Sequence, residues 1–252
     1  MDRSTLKINS AGSYPGAFIT FEGGDGAGKS THMHFLGNVL RDLGFSVLNI
    51  REPGGTSIGE QLRAILLDPL NPEMTARAEL LIYEAARAQL VSEVIRPALA
   101  AGKIVLCDRF TDSTLAYQGY TRGIDLGFIE EMSAFATDGI APDKTILITC
   151  ADREARRDRV GRREAADRID AESDEFHRSV GEAFFTIAQN APERIAIVDS
   201  SGTHAETARQ IFAALSDLFP WLSDGTINLE GCLALCDRAH DKSQRISGEM
   251  KV

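Results

Sequence analysis

Short apolar runs rich in branched residues recur at five places along the chain, and a longer stretch of helical periodicity follows each. The runs are residues 17 to 22, 46 to 50, 103 to 107, 144 to 149 and 194 to 198. Around them, apolar positions repeat at helical spacing near 28 to 43, 57 to 67, 76 to 100, 126 to 138, 152 to 160, 172 to 190 and 203 to 218. Strands of continuous apolar character are buried on both faces, and their alternation with helices calls for crossover connections. The pattern predicts an α/β fold with a doubly wound, five-stranded parallel sheet flanked by helices. In such folds ligands bind beyond the carboxyl ends of the strands, so the segments that follow the strands carry the candidate chemistry.

The periodicity stops at both ends. Residues 1 to 15 are predicted to be a flexible extension, residues 16 to 220 a single domain, and residues 221 to 252 a flexible tail with a weak apolar stretch at Leu229 to Leu235. With 43% hydrophobic and 25% charged residues the composition is that of a soluble globular protein. The formal net charge of −10 argues against nonspecific binding to nucleic acid or to an anionic membrane. No segment approaches the ~18 continuous apolar residues of a membrane span, and the first residues lack a signal-peptide core, so a cytoplasmic location is expected. Cys107 and Cys150 end apolar runs and are expected to be small buried hydrophobes. Cys232 and Cys236, near His240 and Asp241, match no usual zinc spacing.

The first strand runs directly into Gly23, Gly24, Asp25, Gly26, Ala27, Gly28, Lys29 and Ser30, a complete G-x-x-x-x-G-K-S phosphate loop followed by Thr31. Its glycines let successive amides point at one anion, Lys29 adds a positive charge, and the Ser30 hydroxyl is a magnesium ligand. The loop calls for a nucleoside triphosphate, with ATP and Mg2+ the expected pair. After the second strand come Arg51, Glu52, Pro53, Gly54, Gly55 and Thr56, a charged pair before a glycine turn; Arg63, on the helix beyond, reads by itself as a solvated residue. After the third strand, Asp108 stands where phosphate-loop proteins put a carboxylate near the metal, here through water. Arg109 beside it is either an ion-pair partner or a phosphate clamp. Residues 153 to 168 hold seven arginines against Glu154, Asp158, Glu164 and Asp167. Arg153 and Arg156 read as ion-paired surface residues. Arg159, Arg162 and Arg163 flank Gly161 where a mobile lid, about residues 157 to 171, would close over transferring phosphates.

Together these segments resemble the thymidylate kinase family. The resemblance is carried by Phe21 to Thr31, Arg51 to Thr56, Tyr83 to Arg87, Asp108 to Gly119 and Asp167 to Asp170, in order, and covers roughly residues 17 to 218. It implies transfer of the γ-phosphoryl group of MgATP to dTMP by a P-loop nucleotide kinase, and a homodimer. It also implies that Tyr83, where the family more often has Phe, stacks on the thymine; the alternative is a ring simply packed in the core. Arg87 is then placed to donate to the base O4, Thr114 and Gln118 to read the Watson–Crick edge, and Tyr117 to crowd out a ribose 2′-hydroxyl. Asp25 resembles the carboxylate that holds the 3′-hydroxyl and positions the acceptor phosphate. Arg109 resembles the clamp on that phosphate, with Glu52, Pro53, Arg63 and Ser113 lining the same pocket. The loop carries no arginine between Asp25 and Gly28, so Lys29, Asp25, Arg109 and the lid arginines Arg159, Arg162 and Arg163 are the catalytic set. The competing readings are a P-loop kinase for another nucleoside monophosphate and a nucleotide-dependent binding switch. The second is disfavoured because no N-K-x-D motif is present.

Overall fold

A computed structural model describes residues 16–150 and 167–222, together with Asn228, Gly231 and Leu233. Five strands form one parallel sheet: β1 (Ala17–Glu22), β2 (Val47–Arg51), β3 (Ile104–Asp108), β4 (Lys144–Thr149) and β5 (Ile195–Asp199). Each predicted run falls on its strand within one residue. The spatial order is β2-β3-β1-β4-β5, so β1 is central and the chain reverses direction of winding there. Phe21 lies beside Asp108, and Arg51 beside the same Asp108, which brings the carboxyl ends of β1, β2 and β3 level.

The helices are α1 (Lys29–Asp42), α2 (Ser57–Leu67), α3 (Ala76–Leu90), α4 (Arg96–Ala100), α5 (Thr111–Thr114), α6 (Leu126–Thr137), α7 (Asp174–Asn190) and α8 (His204–Ala214). Thr56, Thr75, Asp125, Ser173 and Thr203 cap five of them by accepting an amide of the first turn, each contact worth about 1 kcal/mol. A wider π-helical turn, Val91–Ile95, joins α3 to α4. Pro97 follows at once and has no amide for the carbonyl four residues earlier, so the tight ladder could not continue unbroken. The helix expected near 152 to 160 lies outside the described residues. A helical segment that periodicity does not predict runs from α5 into a π-helical stretch, Leu115–Thr121. Its small and polar residues carry no amphipathic pattern, and its side chains are held by the sheet beneath.

Alternation along the strands sorts the core. Ala17, Ile19 and Phe21 face α1 and α8, packing with Leu36, Leu40, Ile211 and Phe212. Phe18 faces the other way, with Val105 and Cys107 under Leu90, Ile95 and Phe110. Leu147 and Ile195 lie under Tyr117, Phe184 and Ile187. Cys107 and Cys150 are both buried, as their places at the ends of apolar runs predict. The boundary expected at residue 220 is displaced: Trp221, Leu222 and Leu233 join the core. The Trp221 ring stacks on Phe45 at 5.0 Å between centroids and tilts against Phe219 at 5.5 Å. Pro220 interrupts the helical spacing just before Trp221, so periodicity does not place it; Phe45, distant in sequence, and the neighbouring Phe219 decide its burial.

Trp221→Ala is expected to lower the unfolding free energy by about 3–5 kcal/mol, measured by urea denaturation. A loss below about 1 kcal/mol would return the domain boundary to residue 220.

Candidate active site

The site begins where β1 ends. Gly23 has φ of +131°, and a Cβ there would lie 2.1 Å from the Ile148 carbonyl oxygen, so only glycine lets the loop leave the sheet at this point. The loop delivers Gly28 to the start of α1, whose amides receive no side-chain cap and whose first turn holds no acidic residue. That helix end is open to an anion. The Lys29 ammonium is buried and donates to the carbonyl oxygens of Gly23 and Gly24 at 3.0 and 3.1 Å. Burial, and then the nearby Arg109 charge, push its pKa down from the ordinary lysine value. Ser30 donates its hydroxyl to Asp108 Oδ2 at 2.5 Å. A hydroxyl and a carboxylate are hard oxygen donors of the kind Mg2+ prefers. No group of three or more His, Cys, Asp or Glu side chains suited to a metal occurs among the described residues. The pair thus fits a magnesium ion that takes its remaining ligands from phosphate and water rather than a cation held by protein alone.

Arg109 lies one residue beyond β3 in left-handed backbone, φ 70°, which costs a non-glycine residue roughly 1–2 kcal/mol. Neighbours on both sides hold it there: its own amide donates to the Phe21 carbonyl at 2.9 Å, and the next amide, of Phe110, donates to Glu22 Oε1 at 2.7 Å. The twist sends the guanidinium toward the loop. Nη2 donates to Asp25 Oδ1 at 3.0 Å, Nη1 to Ser113 Oγ at 3.2 Å, and its carbon lies 5.3 Å from the Tyr117 ring centre. Asp25 of the phosphate loop and Arg109, Ser113 and Tyr117 of the segment after β3 therefore meet at one place.

Glu22 is a contributor that the sequence reading passes over. It is fully buried, and besides Phe110 it accepts the Ser113 amide at 3.2 Å and the Ser113 hydroxyl at 2.6 Å. Burial, reinforced by Asp112, pushes its pKa up from 4.5 to about 7. Thr20 and Glu22 share the β1 face of Phe18, and Thr20 bonds Thr145 on β4 at 2.7 Å. Thr145 donates to Asp112 at 3.2 Å, and Arg194 grips both Asp112 oxygens at 2.7 and 2.8 Å. This polar seam fastens α5 to the sheet. Its signal in the sequence was a carboxylate closing an otherwise apolar strand, which burial alone would not tolerate.

On α3, Glu79, Tyr83 and Arg87 recur at four-residue spacing and share a face. Arg87 is buried to 1% exposure; it donates to Glu52 at 2.9 Å, Glu84 at 2.6 Å and Thr114 Oγ1 at 2.9 Å. Burial pushes the Glu52 pKa up to about 7 against the pull of Arg87. The Pro53 carbonyl receives Arg63 at 3.0 Å and Arg51 at 2.8 Å, so the half-buried Arg63 is fixed to the turn after β2 rather than free in solvent. Tyr83 is half-buried, with its phenol pushed up to about 12 by burial and without a hydrogen-bond partner among the described residues. Gln118 donates to the buried Glu79, which also receives Arg122 and Arg168. Arg159, Arg162 and Arg163 lie outside the described residues. Of the stretch expected as a lid, Arg168 is buried and anchored, donating to the Leu66 carbonyl at 2.8 Å, in a turn where Asp167 accepts the Ile169 and Asp170 amides.

The family model described as Thymidylate kinase matches residues 21–211. The thymidylate kinase of Pelotomaculum thermopropionicum is 49% identical over 187 residues, covering 74% of this chain and 86% of its own. That of Geotalea uraniireducens is 47% identical over 211 residues, covering 79% and 96%. Among solved structures, thymidylate kinase from Ehrlichia chaffeensis superposes with a TM-score of 0.66 at 33% identity, covering 80% of this chain and 99% of that one.

Because folded Glu22 holds its proton more tightly than the unfolded chain does, its favourable contribution is complete below pH 4.5 and is lost as the pH rises through about 7. Glu22→Gln keeps the accepting oxygen without the charge. Urea unfolding at about pH 5 and about pH 8 is expected to show the variant gaining on the wild type by about 2–3 kcal/mol over that interval. A constant difference would mean that Glu22 is ionised throughout.

Proposed function

We propose, for a chain that belongs to the thymidylate kinase family and is a phosphotransferase converting dTMP to dTDP, that ATP occupies the phosphate loop and dTMP the cleft between Arg109 and α3. The observation that carries this reading is the Arg109 to Asp25 contact, because it joins a loop built for the donor phosphates to a segment suited to a second phosphate. The loop amides, the open end of α1 and Lys29 take the triphosphate. Lys29 exchanges its carbonyl partners for phosphate oxygens, a favourable trade for a buried cation. Magnesium, held by Ser30 and through water by Asp108, would neutralise charge between the terminal phosphates.

An oxygen of the dTMP phosphate, already anionic and needing no strong general base, attacks the γ-phosphorus of ATP in line; the new P–O bond forms as the bond to the β-phosphate oxygen breaks and ADP leaves. The work left to the protein is to bring two anions together and hold them aligned. Arg109 clamps the acceptor phosphate, supported by Ser113, while Arg63 and the Glu52–Pro53 strip close the near wall. Asp25 orients Arg109 and holds the sugar 3′-hydroxyl. Tyr83 lies on the base, Arg87 and Thr114 donate to its carbonyls, Gln118 reads its edge, and Tyr117 fills the space a 2′-hydroxyl would need. Arg159, Arg162 and Arg163 complete the charge clamp that the loop, lacking an arginine, leaves open.

We assign the enzyme to the cytoplasm with its nucleotide substrates; no helix among the described residues is long and apolar enough to cross a membrane. We also assign a homodimer formed through α3 and α6. Phe128 and Phe135 recur seven residues apart on α6, Phe135 is 89% exposed, and Leu81 on α3 is exposed as well. An apolar face of this kind favours a partner.

Lys29→Ala is expected to lower kcat by about 10³-fold while thermal melting shifts by only a few degrees, checked by coupled ADP release and circular dichroism. Turnover near wild type would remove Lys29 from the mechanism. Phe135→Asp is expected to shift the mass found by light scattering from dimer toward monomer, and an unchanged mass would locate the interface elsewhere.

A further inference from the structure

The Glu79 carboxylate has no part in the mechanism above, yet it is one of the most heavily bonded groups in the protein. It lies one turn before Tyr83 and is 1% exposed. It accepts Gln118 Nε2 at 2.8 Å, Arg122 Nε and Nη2 at 2.7 and 3.0 Å, and Arg168 Nη2 at 2.5 Å. Burial works to raise its pKa, but the bonds from Arg122, Gln118 and Arg168 outweigh it and hold the group below the ordinary carboxylate range. An ionised carboxylate can only accept. Gln118 must therefore turn its NH2 toward Glu79, because its Oε1 in that place would set acceptor against acceptor.

The two ends of a glutamine amide are nearly identical in shape, so the partner alone decides which way it faces. With Nε2 committed to Glu79, Oε1 is the end left over, and it takes no hydrogen bond from the described residues. One turn earlier on the same segment, Thr114 Oγ1 accepts from Arg87 and keeps its own proton to donate. The two rungs, Glu79–Gln118 and Arg87–Thr114, bracket Tyr83 with an acceptor on one side and donors on the other.

We infer that Glu79 is a positioning residue for base selection: it fixes the Gln118 amide so that Oε1 meets a base carrying N3–H, and turns away a base with a bare lone pair at N3. Thymine and uracil carry that hydrogen; cytosine does not. Arg122 and Arg168 serve this arrangement by keeping Glu79 ionised. The inference rests on the reading that Gln118 faces the Watson–Crick edge of the acceptor base.

The test is kcat/KM for dTMP and for dCMP in the wild type, Glu79→Gln, Gln118→Ala and the double variant. A glutamine at position 79 can donate or accept, which frees the Gln118 amide to turn. The dTMP-over-dCMP ratio is expected to fall about tenfold or more in Glu79→Gln. It should fall also in Gln118→Ala, and change less than about twofold when Glu79→Gln is added to Gln118→Ala. A ratio unchanged in Glu79→Gln but lowered in Gln118→Ala overturns the role of Glu79 and leaves the base-reading role of Gln118 standing. A ratio unchanged in Gln118→Ala overturns that reading and the inference with it. An equal effect of Glu79→Gln in both backgrounds shows action by another route and also overturns it. If circular dichroism shows Glu79→Gln unfolded, Glu79→Asp withdraws the carboxylate from Gln118 while keeping its charge for the arginines, and the same outcomes apply.

Discussion

Charge withdrawn from water must be paired, and the arrangement of this protein around its sheet follows from where its buried carboxylates find partners. Glu22, Glu52, Glu79 and Asp112 are all buried. Each reaches across to a different element: Glu22 to the Phe110 and Ser113 amides, Glu52 to Arg87, Glu79 to Gln118, Arg122 and Arg168, and Asp112 to Arg194. For the ion pairs among them, Glu52–Arg87, Glu79–Arg168 and Asp112–Arg194, removing one member strands the other, at about 3–5 kcal/mol. Apolar packing decides that helices cover the sheet. These polar contacts decide where along it the helical segment from Thr111 to Thr121 sits.

The consequence for chemistry is registry between two halves of one site. The phosphate loop leaves β1 directly after Glu22, and Glu22 also caps the turn after Arg109, so a single carboxylate ties the phosphate loop to the segment from Arg109 to Ser113. Arg109 accepts a strained backbone in exchange for a guanidinium aimed back at Asp25. A reaction that joins two anions depends on charges fixed before the substrates arrive, because a charge that must reorganise at the moment of transfer contributes less. Arg87, held by Glu52, Glu84 and Thr114, is fixed in the same way.

Much of the fold could be read from the chain because it depends on local regularity. Apolar runs located all five strands, and helical spacing located α1, α2, α3, α6, α7 and α8 to within a few residues. The helical stretch from Thr111 to Thr121 escaped because it has no amphipathic repeat; Glu22, Asp112 and Arg194 hold it from below. Trp221 escaped for a related reason, since Phe45 and Phe219 bury it from far away in sequence and from two residues before.

The same division runs through the site. The sequence by itself determined the phosphate loop with its Lys29 and Ser30, because an anion demands those residue types at that spacing, and the family motifs it carries singled out Asp25, Glu52, Arg63, Tyr83, Arg87, Arg109, Thr114, Tyr117 and Gln118 as candidates. Only the tertiary structure decided how they are held: that Arg87 is gripped by two carboxylates, that Arg168 is a buried anchor and not an open surface cation, and that Gln118 donates its amide to Glu79. A motif records what a ligand requires. The partner of a buried charge is set by distance in space, which the order of residues does not encode locally.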